Sequence, residues 1–162
     1  MKPTVYLETS VISYLAAWPS RDLITAANQH VTHVWWRDRR PVFEVFTSQW
    51  VLEEASAGDP AAAQRRLGFI LDLPLLEVTH QAQDLARQLL GRTSLPPRAA
   101  ADVLHIALAA CHGMDFLLTW NCTHLANAEL RPRIDRACWD LGFRPVMLCT
   151  PPELMGGFDD AT

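Results

Sequence analysis

The chain has 162 residues, the size of one domain, with 49% apolar and 20% charged residues. That supplies a sizeable core, excludes a disordered chain except at the last few residues, and leaves no stretch near the length of a membrane span. A net charge of −4 argues against a broadly basic nucleic-acid binder, although acids gathered around a metal would lower the net charge while the rest of a groove stays positive.

Residues 4–7 (TVYL) are apolar and rich in β-formers, and read as a buried strand ending at Glu8. Thr9 or Ser10 can cap a short helix to Leu15, which Trp18-Pro19 breaks. Helical spacing of Leu23, Ala26, Ala27, Val31, Val34 and Trp35 predicts a helix over 22–39, stopped by Pro41. A second strand follows over 42–46. A short helix over 49–57 starts after Ser48 and closes at Gly58. Asp59-Pro60 supplies a cap and a first-turn proline for a helix to 73. Then come a strand over 75–78, a helix over 80–90, a loop over 91–97 and a long apolar helix over 98–112 that ends at Gly113. The rest reads as a strand over 116–119, a short helix or turn over 121–127, a helix over 131–141 and a strand over 145–149.

Strands that alternate with helices and read as continuous apolar runs predict an α/β fold with a mostly parallel five-stranded sheet covered on both faces. The domain is expected over 1–150, with 151–162 as a C-terminal tail. Cys111, Cys122, Cys138 and Cys149 form no C-x-x-C pair and read as reduced, partly buried thiols. Met1-Lys2 leads an apolar run, but Glu8 interrupts it and no small-residue cleavage site follows; a soluble cytoplasmic protein is expected.

In an open α/β sheet the cleft lies beyond the carboxyl ends of the strands. Glu8 is there, suited to a metal ligand or general base, or simply to a charged helix start. Asp102 lies in the first turns of a helix apolar nearly all round, so its carboxylate needs an Arg, free backbone N–H groups or a metal. His105, one turn on, is either its hydrogen-bond partner or a satisfied core residue. Thr119 and Asn121 close the strand 116–119; Asn121 can line the cleft, share a face with His124, or cap a turn. Glu53 and Glu54 are barely separable by pattern. Three carboxylates from separate elements offer hard oxygen ligands suited to Mg²⁺ or Mn²⁺.

Four stretches carry a family likeness: Val5-Tyr6-Leu7-Glu8-Thr9-Ser10, Val51-Leu52-Glu53-Glu54, Ala101-Asp102-Val103-Leu104-His105-Ile106-Ala107 and Leu117-Leu118-Thr119-Trp120-Asn121. In this order the chain resembles the PIN-domain ribonucleases over roughly residues 3 to 150, and in particular the VapC-like toxins of type II toxin–antitoxin pairs. The resemblance implies a Rossmann-like fold, an acidic cluster binding Mg²⁺ or Mn²⁺, and hydrolysis of RNA phosphodiester bonds by an endoribonuclease. Glu8 matches the first acidic position, Glu54 the second and Asp102 the third; Thr9, Ser10 and Thr119 match the supporting hydroxyls. Glu8 stands where the family usually has Asp, and Asn121 where many members have a further Asp, leaving it as an auxiliary amide ligand. An antitoxin partner and a homodimer are implied as well. The alternative is a catalytically impaired PIN-like module that binds RNA or protein without cleavage. The seven glycines form no G-x-G-x-x-G or phosphate loop, and no G-x-S-x-G is present, which argues against nucleotide enzymes and serine hydrolases. Trp35-Trp36 beside Arg37, Arg39 and Arg40 reads either as a partner or RNA surface, or as one buried Trp on an amphipathic helix.

Overall fold

In the computed structural model, which describes residues 1–156, five strands form one parallel sheet. They are β1 (Thr4–Leu7), β2 (Glu44–Ser48), β3 (Leu75–Leu76), β4 (Phe116–Leu118) and β5 (Met147–Cys149), in the order β3-β2-β1-β4-β5. This is the expected doubly wound arrangement. Val5, Tyr6 and Leu7 are all fully buried. Successive strand side chains point to opposite faces, so both faces of the centre are covered.

The helices fall into two packed groups. The first holds α1 (Thr9–Ala16), α2 (Leu23–Val34), α3 (Gln49–Ala55) and α4 (Pro60–Ile70). The second holds α5 (His80–Thr93), α6 (Ala100–Cys111) and α7 (Arg131–Asp140). Short polar side chains set the starts: Asp22, Ser48, Asp59 and Thr79 each accept a backbone N–H of the helix that follows. The apolar α6 buries Val103 and every residue from His105 to Ala110, as its all-round hydrophobicity required.

Several boundaries differ from expectation for identifiable reasons. The helix expected over 22–39 changes at Trp35 into a π-helical turn, Trp35–Arg39, and then a 3₁₀ turn, Arg40–Val42. Trp35 is thereby fully buried against Phe43, and Arg40 stacks 4.2 Å over the ring of Trp36. This Trp pair therefore serves packing, while Arg37 pairs with Asp38 at the surface. β2 begins two residues later than expected because 40–42 are in that turn, and it runs on to Ser48, which also caps α3. α5 continues through Gly91 to Thr93, whose buried hydroxyl donates to the Leu89 carbonyl; Ser94, at φ 57°, ends it. The turn expected near 121–127 forms without a helix. Of the expected tail, Pro151–Leu154 is a 3₁₀ turn capped reciprocally by Thr150 and Glu153, and residues 157–162 lie outside the described residues.

Cys138 and Cys149 are buried and Cys111 half-buried, and burial pushes their thiols up to about 11, 12 and 11 respectively. They are protonated, unreactive packing groups at neutral pH. No helix among the described residues is long and apolar enough to cross a membrane.

Asp115 lies before β4, at the opposite end of the sheet from Glu8. Its Oδ2 accepts the Thr4 backbone N–H at 2.9 Å and the Thr4 hydroxyl at 3.0 Å, tying the start of β1 to β4, and Arg144 donates to Oδ1 at 3.0 Å. The Thr4 N–H bond first, then the Arg144 bond, hold its carboxyl below the usual carboxylate value. A depressed folded pKa gives stability that is fully present above the unfolded pKa of about 3.9 and is lost as pH falls through the lower, folded pKa. Asp115→Asn should therefore lower the urea midpoint at pH 7, and the gap to wild type should narrow progressively as pH falls below the unfolded pKa. A gap that does not narrow with falling pH would show that charge at Asp115 is not what matters.

Candidate metal centre

The strand order reverses between β1 and β4, so a crevice opens beyond their carboxyl ends. Glu8 stands there. Its backbone N–H continues the ladder to the Leu118 carbonyl at 3.1 Å, and its side chain turns back to cap α1 at the Ser10 N–H, 3.1 Å away. The helix cap is thus Glu8 itself, not Thr9 or Ser10. A carboxylate suits this place because the helix start carries partial positive charge. The two hydroxyls are thereby free for other bonds.

Glu8 is almost fully buried and is held through Oε2 alone. That oxygen accepts the Ser10 N–H, the Ser10 hydroxyl, and the Thr119 hydroxyl at 2.7 Å. Ser10 and Thr119 are themselves fixed, since their oxygens accept the Trp120 and Asn121 N–H groups at 2.8 and 2.9 Å. The end of β4 and the start of α1 therefore form one clamp around a single carboxylate.

Glu54, on α3, faces the same crevice, whereas Glu53 is exposed. Glu54 Oε1 accepts the Thr9 hydroxyl at 2.6 Å and the His105 ring at Nε2, 2.7 Å away. Burial pushes its carboxyl up, but the bond and charge from His105 and the Thr9 bond outweigh this and hold it below its usual value. His105 is 1% exposed, and its Nδ1 lies 2.6 Å from the Tyr6 hydroxyl, which lies 2.8 Å from Ser48 Oγ. Ser48 Oγ accepts the Val51 N–H at 3.0 Å. One arrangement gives every O–H an acceptor. Ser48 donates to Tyr6, Tyr6 donates to His105 Nδ1, and His105 donates from Nε2 to Glu54. A relay of three buried side chains thus aims the second acid. Burial pushes the Tyr6 phenol far above its ordinary value, so it stays a neutral donor.

Asp102 lies in the first turn of α6. Its Oδ2 pairs with His124 Nδ1 at 2.7 Å. The carboxylate pairs with His124 and not with His105, the histidine that lay nearest in the chain, which turns to Glu54 instead. Asn121 fills its capping option: its Oδ1 accepts the Thr123 and His124 N–H groups at 3.2 and 3.0 Å, which positions His124 for Asp102. Its amide oxygen is committed to backbone.

Ligand atoms of Glu8, Glu54 and His105 all lie within 4.8 Å of one another. Asp102 is outside this tight group. Each acid is held by one oxygen, and among the described residues the other (Glu8 Oε1, Glu54 Oε2, Asp102 Oδ1) accepts no hydrogen bond. Glu8 Oε1 stands 3.9 Å from His105 Nε2. Hard anionic oxygens that are positioned but uncommitted fit an oxygen-seeking dication such as Mg²⁺ or Mn²⁺.

Sequence reasoning identified Glu8, Glu54, Thr9, Ser10 and Thr119, all of which converge here. It did not find Tyr6 and Ser48, or the roles of His105 and His124. Tyr6 was hidden in a strand read for its apolarity; a phenol in a run buried on both faces needs a polar partner, and that was the available signal.

No protein-family model matches the chain, and no curated protein does. Solved structures do. VapC20 of Mycobacterium tuberculosis, described as a sarcin-ricin loop cleaving toxin, superposes with a TM-score of 0.58 at 19% identity, covering 74% of this chain and 92% of that one. A chain of VapBC2 from Rickettsia felis, solved bound to a DNA fragment from its promoter, gives 0.55 at 15% identity, covering 91% and 98%. At these identities the likeness speaks to the fold: this chain folds as those proteins do, in the Rossmann-like arrangement that its resemblance to PIN domains implied.

Proposed function

We propose that this protein is a divalent-metal-dependent endoribonuclease, the toxin of a toxin–antitoxin pair. The observation that carries the reading is the pair of acids at the switch point, Glu8 and Glu54, each fixed through one oxygen with the other uncommitted. Glu8 and Glu54 would hold Mg²⁺ or Mn²⁺, with Asp102 completing the acidic set. The ion would supply an activated water and offset the charge that develops on the phosphoryl group. The protein's own groups do the positioning. Ser10 and Thr119 fix the rotamer of Glu8, Thr9 and His105 fix that of Glu54, and His124 fixes Asp102. Asn121 acts through His124.

The likeness to VapC20 and VapBC2 supports RNA as substrate and an antitoxin as partner, and a homodimer and a cytoplasmic setting complete the proposal as the family resemblance implies them. The test is Mn²⁺ calorimetry together with RNA cleavage, on wild type and Asp102→Asn. Wild type should bind Mn²⁺ and cleave RNA only with metal present, and the variant should lose most of both. Well-folded wild type that neither binds Mn²⁺ nor cleaves RNA would overturn the reading, and leave a binding module as the better account.

A further inference from the structure

A cavity of about 360 Å³ lies between the end of α5 and the outer side of α7, lined by Arg92, Pro132, Arg133, Arg136, Ala137 and Asp140. Three of its lining residues are arginines, in a chain whose net charge is −4. The ion pairs among the described residues use Arg37, Arg87, Arg144, His105 and His124, and none of these three arginines. One of them, Arg133, stands in the first turn of α7, next to the positive end of the helix dipole, where cations are disfavoured. The three therefore form a basic patch with no ion-pair partner among the described residues. The Asp140 carboxylate on the same cavity offsets part of the charge.

Both walls of the cavity are one short connection from Asp102. α5 leads through Ser94 and the 3₁₀ turn Pro97–Ala99 into α6, whose first turn carries Asp102. On the other side, Asp102 pairs with His124, and the segment 121–127 runs straight into α7, with the Asn127 carbonyl accepting the Leu130 and Arg131 N–H groups at 3.2 and 3.0 Å.

Resting on the ribonuclease reading, we infer that Arg92, Arg133 and Arg136 form a phosphate-binding subsite for the backbone of the RNA strand that reaches the acidic centre. Guanidinium forks match phosphate oxygens two at a time, and a cluster of them binds a polyanion without reading its bases. The subsite supplies the positive charge that the acidic centre itself cannot offer to RNA.

The test is anisotropy binding of a short, uncleavable 2′-O-methyl oligoribonucleotide, in EDTA, as salt is varied. Arg92→Gln/Arg133→Gln/Arg136→Gln should weaken binding at least about tenfold and reduce the slope of log K against log salt by about 2, since single-stranded contacts contribute roughly 0.7 each. Asp140→Asn, which removes the opposing charge, should tighten binding. All three arginines are exposed, and unchanged Mn²⁺ calorimetry of the triple variant would show an intact acidic centre. Unchanged affinity and slope in the triple variant would overturn the subsite, even with wild type cleaving RNA normally. Loss of binding in the variant, with wild type binding but never cleaving, would uphold the subsite and sink the nuclease reading instead. A poly-glutamate peptide that matches the RNA in affinity and loses it in the variant would overturn the assignment to RNA in favour of an acidic partner protein.

Discussion

Glu8→Gln is expected to reduce metal-dependent RNA hydrolysis by roughly a hundred- to a thousandfold, on the several kcal/mol that a correctly held ion contributes to phosphoryl transfer. Gln keeps the length and can still accept from Ser10 and Thr119 through its amide oxygen, so the clamp around position 8 survives. What it loses is the anionic oxygen that faces the crevice. Stability should move the other way. Glu8 is buried with its ligand atom within 4.8 Å of that of Glu54, and two carboxylates this close repel each other when no cation lies between them. Without metal the variant should melt at or above the wild-type temperature. Added Mn²⁺ should raise the melting temperature of wild type and not of the variant, because only the folded wild type binds it. Thermal scans with and without Mn²⁺, beside a cleavage assay, check this. A variant that melts well below wild type without metal would assign Glu8 a structural role instead.

Tyr6→Phe should be the most destabilising change that leaves the shape of the core intact. Tyr6 is fully buried in the central strand, and its hydroxyl is the middle of the relay from Ser48 to His105. Phe keeps the ring, so no large cavity forms. It strands the Ser48 O–H and the His105 Nδ1 in a dry setting, at about 1–3 kcal/mol for each unpaired group. The sum, roughly 2–6 kcal/mol, corresponds to a melting temperature lower by about 4–24 °C for a chain of this size. Function should fall too, because Nδ1 no longer fixes which ring nitrogen donates to Glu54; loss of such an outer partner costs roughly 10–100-fold in metal affinity. Thermal denaturation and Mn²⁺ calorimetry read the two effects separately. Wild-type stability in Tyr6→Phe would show that the relay is not energetically coupled.

Pattern barely separated Glu54 from Glu53, and the choice of Glu54 came from the resemblance to PIN domains, whereas Glu8 was legible from a local rule, because it closes an apolar run. Thr119 likewise closes β4. The histidines were not legible. His105 lies on the same helix as Asp102, three residues away, which makes the local pairing look natural. Its actual partners come from β1 and α3, more than fifty positions or close to a hundred away in the chain, and only the packing of α6 selects them. Asn121 shows the converse: a local rule, the capping of a turn, won over the ligand role that its place in the motif implied. The end of α5 was misplaced because Gly91 reads as a stop, yet a helical glycine costs only about 1 kcal/mol, less than burying Leu89 and Thr93 returns.

β1 lies in the middle of the sheet, yet its neighbour on one side, β4, comes more than a hundred residues later. During synthesis, which delivers the amino-terminal part first, Glu8 and Glu54 emerge early as acids with no crevice around them. The hydroxyl of Thr119, the ring of His105 and the ladder bond from Glu8 to Leu118 all await residues 105–119. A nascent chain therefore has no assembled crevice around these acids until β4 has emerged. A product cut short before β4 lacks the Thr119 half of the clamp and the ladder bond from Glu8 to Leu118. For an enzyme that would attack RNA, the topology itself delays assembly of the site until β4 has been made.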